Sequence, residues 1–380
     1  MTIIYYLTPD TYNSRTYSTH TYLIILIGLF LLIGLILLFT KFNTSLSHKT
    51  KSFFDIVPTR GIQTLNTFRI FVAPASGPRC FTTMGFDRQF RKSQIDSRSK
   101  WFVGGSTAAL RFTALIAGLI LNKNISKHIQ HIFTEMTYQH GDSPDTLSPM
   151  MEKLIQACAP KSILSEIVHH PYLHLCIFVA RLKYTTDISD WRLKLSFGGM
   201  YMTNLVYPQG LDYFYDTCCF YTGNSPPPLI SKTHICFEPI TVENFYDVLQ
   251  ATTCIPFVSK RATQIGKHSG LFFDGAICHY HLNLICNQPE YPTLYLSDQF
   301  VDSQLKANVF DSWVPWRGIP EQDLKYCTRI HPTTFFQSQI PENRFPTVSD
   351  WFDTCYVQNP KRRKRSWLKA YKLSIKKWLE

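Results

Sequence analysis

Two short stretches of the chain carry residues suited to acyl chemistry. The first is Gly104-Gly105-Ser106-Thr107-Ala108. A serine held on a tight strand-to-helix turn needs small residues two before and two after it, and Gly104 and Ala108 meet that steric demand, with Gly105 between. A helix that begins at the serine turns unpaired N–H groups and the positive end of its dipole toward that position, which favours a developing oxyanion. A nucleophilic hydroxyl also needs a base to take its proton. Among the acids, Asp274 stands out, because it ends the apolar run Leu271-Phe272-Phe273 and precedes Gly275-Ala276. Two small residues there let the backbone approach another segment closely. An ordinary Asp-Gly turn is the structural alternative.

The elements that must position these groups are legible from apolar patterning. Phe68–Val72 is predicted as a strand ending in Ala73-Pro74-Ala75-Ser76-Gly77-Pro78, and Lys100–Val103 as a second strand ending at Gly104-Gly105. Residues 107–121 are nearly all apolar and lack proline, the pattern of a buried helix directly after a strand. His140–Pro149 is a predicted turn-rich loop, and Met150–Cys158 a helix. Leu173–Leu182, Thr233–Ile240, Leu271–Phe273 and Thr293–Leu296 are predicted strands, with a helix over Val242–Gln250. Strands alternating with helices imply an α/β sheet with covered faces. No mechanism attaches to residues 301–360 at this level.

Taken in order, these segments resemble the patatin-like phospholipases over roughly Phe68 to Leu296. That family pairs a G-x-S-x-G serine with an aspartate in a later D-G-G/A motif. Here Ser106 is followed by Arg111 five residues on, and Asp274-Gly275-Ala276 leads into His279-Tyr280-His281, with Asn283 a further match. Gln250-Ala251-Thr252-Thr253-Cys254-Ile255-Pro256-Phe257 is similar to the family's A-S-x-A-x-P stretch. The resemblance implies a three-layer α/β sheet with helices on both faces and a Ser106–Asp274 dyad that hydrolyses lipid acyl esters without cofactor or metal. It also places the oxyanion loop at Pro74–Cys80, with Ser76, Gly77 and Arg79 at its matching positions. The chain departs from the family there: one glycine and the arginine are kept, most of the glycine run is lost, and Pro78 has no N–H to donate. That departure leaves open an inactive lipid- or protein-binding module, and acyl transfer to another alcohol is a third reading. His279 and His281, two apart, would share a side of an extended stretch, but no carboxylate or cysteine completes a ligand set, so hydrogen bonding is the expected role.

Composition narrows the setting. Of 380 residues, 45% are hydrophobic and 17% charged, below the roughly 25% charged of an ordinary soluble domain. The net charge is +12, and residues 361–380 alone supply +8 of it, so general nucleic-acid binding is not expected. The eleven cysteines show no Cys-x-x-Cys spacing and are expected as buried thiols in a reducing compartment. Tyr22–Phe39 is 18 consecutive apolar residues, and residues 21–40 are long enough as a helix to cross a bilayer. Lys41, Lys49 and Lys51 follow it, which orients the remainder toward the cytoplasm. The expected order is therefore an N-terminal flank (1–20), a transmembrane helix (21–40), a linker (41–65), a hydrolase domain (66–360) and a basic tail (361–380). On a helical wheel, Trp367, Tyr371, Ile375 and Trp378 share one face of the tail and Lys369, Lys372 and Lys376 the other. That pattern suits a helix lying on an anionic membrane surface. A nuclear-localisation or nucleic-acid patch and a plainly solvated tail are the rival readings.

Overall fold

The computed structural model describes residues 52–57, 65–136, 144–183, 189–207, 209–281, 284–286, 288–303, 305–306, 308–313, 318–351 and 359–378. The apolar stretch Tyr22–Phe39 and Asn283 lie outside these residues. No helix among the described residues is long and apolar enough to cross a membrane.

The fold is mixed α/β, built on a ten-stranded mixed sheet. Its strands are β1 (Phe54–Val57), β2 (Ile70–Val72), β3 (Lys100–Gly104), β4 (Leu173–Leu182), β5 (Tyr215–Tyr221), β6 (Ile235–Pro239), β7 (Ala262–Ile265), β8 (His268–Asp274), β9 (Thr293–Leu296) and β10 (Cys327–Pro332). The helices used below are α1 (Gly85–Lys92), α2 (Ser106–Ile120), α3 (Ile125–Glu135), α4 (Pro144–Cys158), α5 (Leu164–Val168), α6 (Asp190–Val206), α7 (Phe245–Thr252), α8 (Ala276–His279), α9 (Thr334–Ser338) and α10 (Pro360–Lys377). The sheet order is β1-β10-β9-β2-β3-β4-β5-β6, with β8 also on β4 and β7 on β8. Strands β10, β9, β2, β3 and β4 are parallel neighbours, which suits their almost continuous burial.

One pairing sets up the site. β3 runs parallel to β4 and ends with Gly104 opposite Ile177. β8 runs antiparallel to β4 and ends with Asp274 opposite Val179. Two strands thus approach head to head along β4, and their C-terminal ends stop two residues apart, ~7 Å at strand rise. The larger core, which includes Phe102, Phe112, Leu115 and Ile177, lies on one face. A smaller core of Val72, Trp101, Val103, Phe178 and Tyr295 lies apart from it, roofed by Leu284, Leu305 and Leu324 from irregular segments and short turns.

Several boundaries differ from the sequence expectation. The linker proposed for 41–65 contains β1, which pairs with β10 at the sheet edge. The loop expected up to Pro149 is helical from Pro144, with Pro149 inside α4. β5, β10 and α6 have no counterpart in the predicted elements. β10, Cys327-Thr328-Arg329-Ile330-His331-Pro332, interleaves charged and polar residues and so carries no apolar signature, although it is paired on both sides.

The basic tail also differs. It forms α10, but its aromatic face is turned into the protein instead of outward to lipid. Trp367 is fully buried, packs against Phe81 and Phe133, and donates Nε1–H to Asp350 Oδ2 at 2.8 Å. Ser374 Oγ accepts the Gly85 N–H at 2.8 Å. Residues 361–377 are therefore part of the sheet domain and not a separate segment. The cause is that aromatic area is satisfied equally well by a protein groove as by a membrane. Trp367→Ala is expected to cost about 3–5 kcal/mol of stability. An unchanged melting temperature would mean that α10 does not pack this way.

Candidate active site

Ser106 begins α2 directly after β3, with φ +52°, in the left-handed region that side-chain-bearing residues seldom adopt. Its neighbours explain how the turn is held. A Cβ on Gly104 would sit 2.7 Å from the Ala108 Cβ, so both positions must stay small. A Cβ on Gly105 would lie 3.5 Å from the Gly275 Cα, which places the serine turn against the Asp274-Gly275 backbone. Gly275 is tighter still, since any Cβ there would collide with the Phe178 carbonyl. Gly104 thus lets the turn close on Ala108, and Gly275 lets the Asp274 segment lie directly on the middle of β4.

The structure brings the Ser106 hydroxyl and the Asp274 carboxylate together, 168 positions apart in sequence. Burial pushes the Asp274 carboxyl up to about 6, and the Ser106 hydroxyl and the Ala276 N–H pull against that rise. The Ala276 N–H donates to Asp274 Oδ1 at 2.8 Å and fixes the carboxylate, while the Asp274 N–H donates to the Cys254 carbonyl at 2.9 Å and fixes the backbone. Ser106 and Asp274 are only 8% and 6% exposed.

Thr252, the last residue of α7, has a role that its place in the Gln250–Phe257 stretch does not announce. Its Oγ1 accepts the Ser106 N–H at 2.8 Å and donates to the Phe178 carbonyl at 2.7 Å. One fully buried hydroxyl therefore ties the serine turn to β4. Thr252→Val keeps the volume and removes the acceptor. The buried Ser106 N–H is then left unpaired, so stability should fall by about 1–3 kcal/mol. Turnover should fall more than substrate affinity, and Thr252→Ser should recover it. Equal kinetics in the valine and wild-type proteins would remove this positioning role.

The Pro74–Cys80 loop leaves β2 beside the serine turn, where the Ala73 N–H bonds the Val103 carbonyl and the Ala75 N–H bonds the Tyr280 carbonyl. At the two matching loop positions, Ser76 and Gly77, the backbone N–H groups are placed differently. The Ser76 N–H is engaged by the Pro74 carbonyl at 2.9 Å. Gly77 has φ +55°, and a Cβ there would collide with Val348, so the one glycine kept from the family pattern stands where the backbone requires it. Its N–H and that of Thr107 have no protein acceptor among the described residues. Thr107 directly follows the serine, the position that ordinarily supplies an oxyanion donor on such a turn, and that placement was the available sequence signal. Arg79 is partly buried at the start of the following short helix, close enough to Tyr280 and His281 to act on their titration.

Arg111 does not enter the site. Its guanidinium bonds Asp87 at 2.8 Å and the Thr83 hydroxyl and carbonyl at 2.7 and 2.6 Å, clamping α2 to α1 and the preceding turn. His279 lies on α8 and not on an extended stretch, with Nε2 3.3 Å from Thr233 Oγ1. His281 Nδ1 lies 2.5 Å from the Tyr295 hydroxyl. Burial holds the two imidazoles down, to about 3 and about 4. No group of three metal-ligating side chains occurs among the described residues. Comparison with protein-family models, with curated proteins and with solved structures finds no match for this chain.

Proposed function

We propose that the chain is a serine acyl-ester hydrolase of patatin-like type, acting on phospholipid or another acyl lipid through a Ser106–Asp274 dyad. The observation that carries this reading is a serine strained at φ +52° at a strand-to-helix junction, facing a buried carboxylate raised to about 6. In this reading Ser106 Oγ attacks the acyl carbonyl while Asp274 takes its proton. Asp274 then protonates the departing alcohol, leaving an acyl-serine. A water gives its proton to Asp274 as its oxygen attacks that ester, and Ser106 Oγ leaves with the proton. Gly77 and Thr107 N–H groups stabilise both tetrahedral oxyanions. An aspartate near 6 is a better base at neutral pH than one at its ordinary value.

A lipid substrate is favoured by apolar surface close to the site. Along α6, Trp191, Leu195, Met202 and Val206 recur at helical spacing and are all exposed, Val206 by 86%. Phe257, also exposed, packs on Phe197 of the same helix at 5.4 Å and lies three residues beyond Cys254, the anchor of Asp274. Such a face suits the acyl boundary of a bilayer. Tyr22–Phe39 would hold the catalytic unit at a membrane, on the cytoplasmic side.

The engaged Ser76 N–H and Pro78 favour a second reading, an inactive module that binds lipid or protein, since losing one oxyanion donor costs about 10²–10³ in rate. Release of fatty acid from phospholipid and fluorogenic esters by the full-length protein decides between them. Turnover that disappears in Ser106→Ala supports the hydrolase; no turnover in wild type on any acyl ester rejects it.

A further inference from the structure

The basic tail leaves a question that ester hydrolysis does not answer. With the aromatic face of α10 buried, Lys361, Arg365, Lys369, Lys372 and Lys376 remain at least partly exposed along the helix. α10 packs beside α1 and α3, and between the three lies a cavity of about 420 Å³, within the range of small-ligand sites. Its wall carries Arg88, Arg91 and Lys92 from α1, Asn124 and Ser126 from the start of α3, and Tyr371 from α10. The one carboxylate lining it, Asp87, is ion-paired with Arg111 at 2.8 Å and buried. Arg88 is fixed by its bond to the Ile375 carbonyl at 3.0 Å. Arg91 and Lys92 form no ion pair with another described residue.

The geometry points to a binding site for a phosphate-bearing anion in this cleft, distinct from the Ser106 site. Three cations converge on a concave space whose only acid is already neutralised. The Tyr371 hydroxyl and the Asn124 amide N–H groups offer the short-range bonds that fix a phosphate within a cationic field, while the Ser126 hydroxyl is engaged by Asp87. Lys372 and Lys376 extend that field along α10. The cleft lies across the Asp87–Arg111 ion pair from α2, and neither Ser106 nor Asp274 is among its lining residues. It stands whether or not Ser106 is a nucleophile.

The phosphate could be soluble or borne by a lipid, and two arms separate the sources. Full-length protein in neutral detergent is titrated calorimetrically with tripolyphosphate. In parallel it is titrated with mixed micelles containing phosphatidic acid or, as a control, phosphatidylcholine. Saturable binding of tripolyphosphate at one equivalent would show that free phosphate suffices. Saturable binding of phosphatidic acid alone would assign the site to a lipid head group. In either case Arg91→Ala/Lys92→Ala should weaken binding about tenfold or more. Lys361→Ala/Arg365→Ala removes the same charge from the far end of α10 and should leave binding unchanged. Thermal unfolding confirms that both variants fold. The inference is overturned if neither probe binds, if the two double variants weaken binding equally, or if the cleft variant binds as wild type does.

Discussion

Ser106→Ala is expected to reduce ester hydrolysis by about 10⁴-fold or more, with the fold intact. Among the described residues no other hydroxyl is both strained onto a strand-to-helix turn and set against a buried carboxylate, so nothing inherits the role. The companion variant Ser106→Gly makes the expectation sharper. At φ +52° every side chain with a Cβ is disfavoured, and glycine is not. Ser106→Gly should therefore be equally inactive yet about 1 kcal/mol more stable, whereas Ser106→Ala keeps the strain. Parallel turnover and denaturation measurements read both effects. Hydrolysis that survives either substitution removes Ser106 as the nucleophile.

Asp274→Asn should move activity and stability in opposite directions. The amide cannot accept the serine proton, so turnover should drop by about 10²–10⁴-fold. In the wild type, kcat/KM should rise with pH through about 6, because Asp274 works in its ionised form, and should fall away below that value. The stability consequence follows from the same raised carboxyl. Between the ordinary value of 3.8 and about 6 the folded protein holds a proton that the unfolded chain has released. Folding is therefore penalised progressively as pH rises through that window, and the full penalty persists above it. The interval corresponds to about 3 kcal/mol. An asparagine side chain carries no charge and escapes the penalty, while its amide oxygen can still accept the Ala276 N–H. The variant should be the more stable protein at pH 7, and its advantage should shrink toward pH 4. An advantage independent of pH would mean that Asp274 is not the group responsible.

These effects and that of Thr252 share one origin, the middle of β4. Phe178 lies between the β4 residues opposite Gly104 and Asp274, and its carbonyl holds the Thr252 hydroxyl that holds the Ser106 amide. A site built this way resists rearrangement, because moving the serine means breaking a strand pairing. Beside Asp274 the same arrangement requires glycine, because a Cβ on Gly275 would collide with the Phe178 carbonyl.

Much of this was determined by sequence alone. β4 and β9 have the limits their apolar runs predict, and α2 starts within a residue of its predicted start, since continuous apolar stretches have few alternatives to a buried strand or helix. Gly104, Ala108 and Gly275 were legible as sites of close approach because only small residues permit it. Tertiary structure decided the rest. β1, β5 and β10 interrupt their apolar residues with charged or polar ones and are strands because neighbouring strands pair with them. Ser76 matched its position in the family pattern, yet its N–H is taken by Pro74, a backbone bond that residue identity does not encode. The tail shows the limit most plainly. Its pattern dictated a helix with an aromatic face and a basic face, but apolar area gains the same free energy from any dry partner. Only the groove beside Phe81 and Phe133 determined that Trp367 would be buried in this protein, leaving the lysines to solvent.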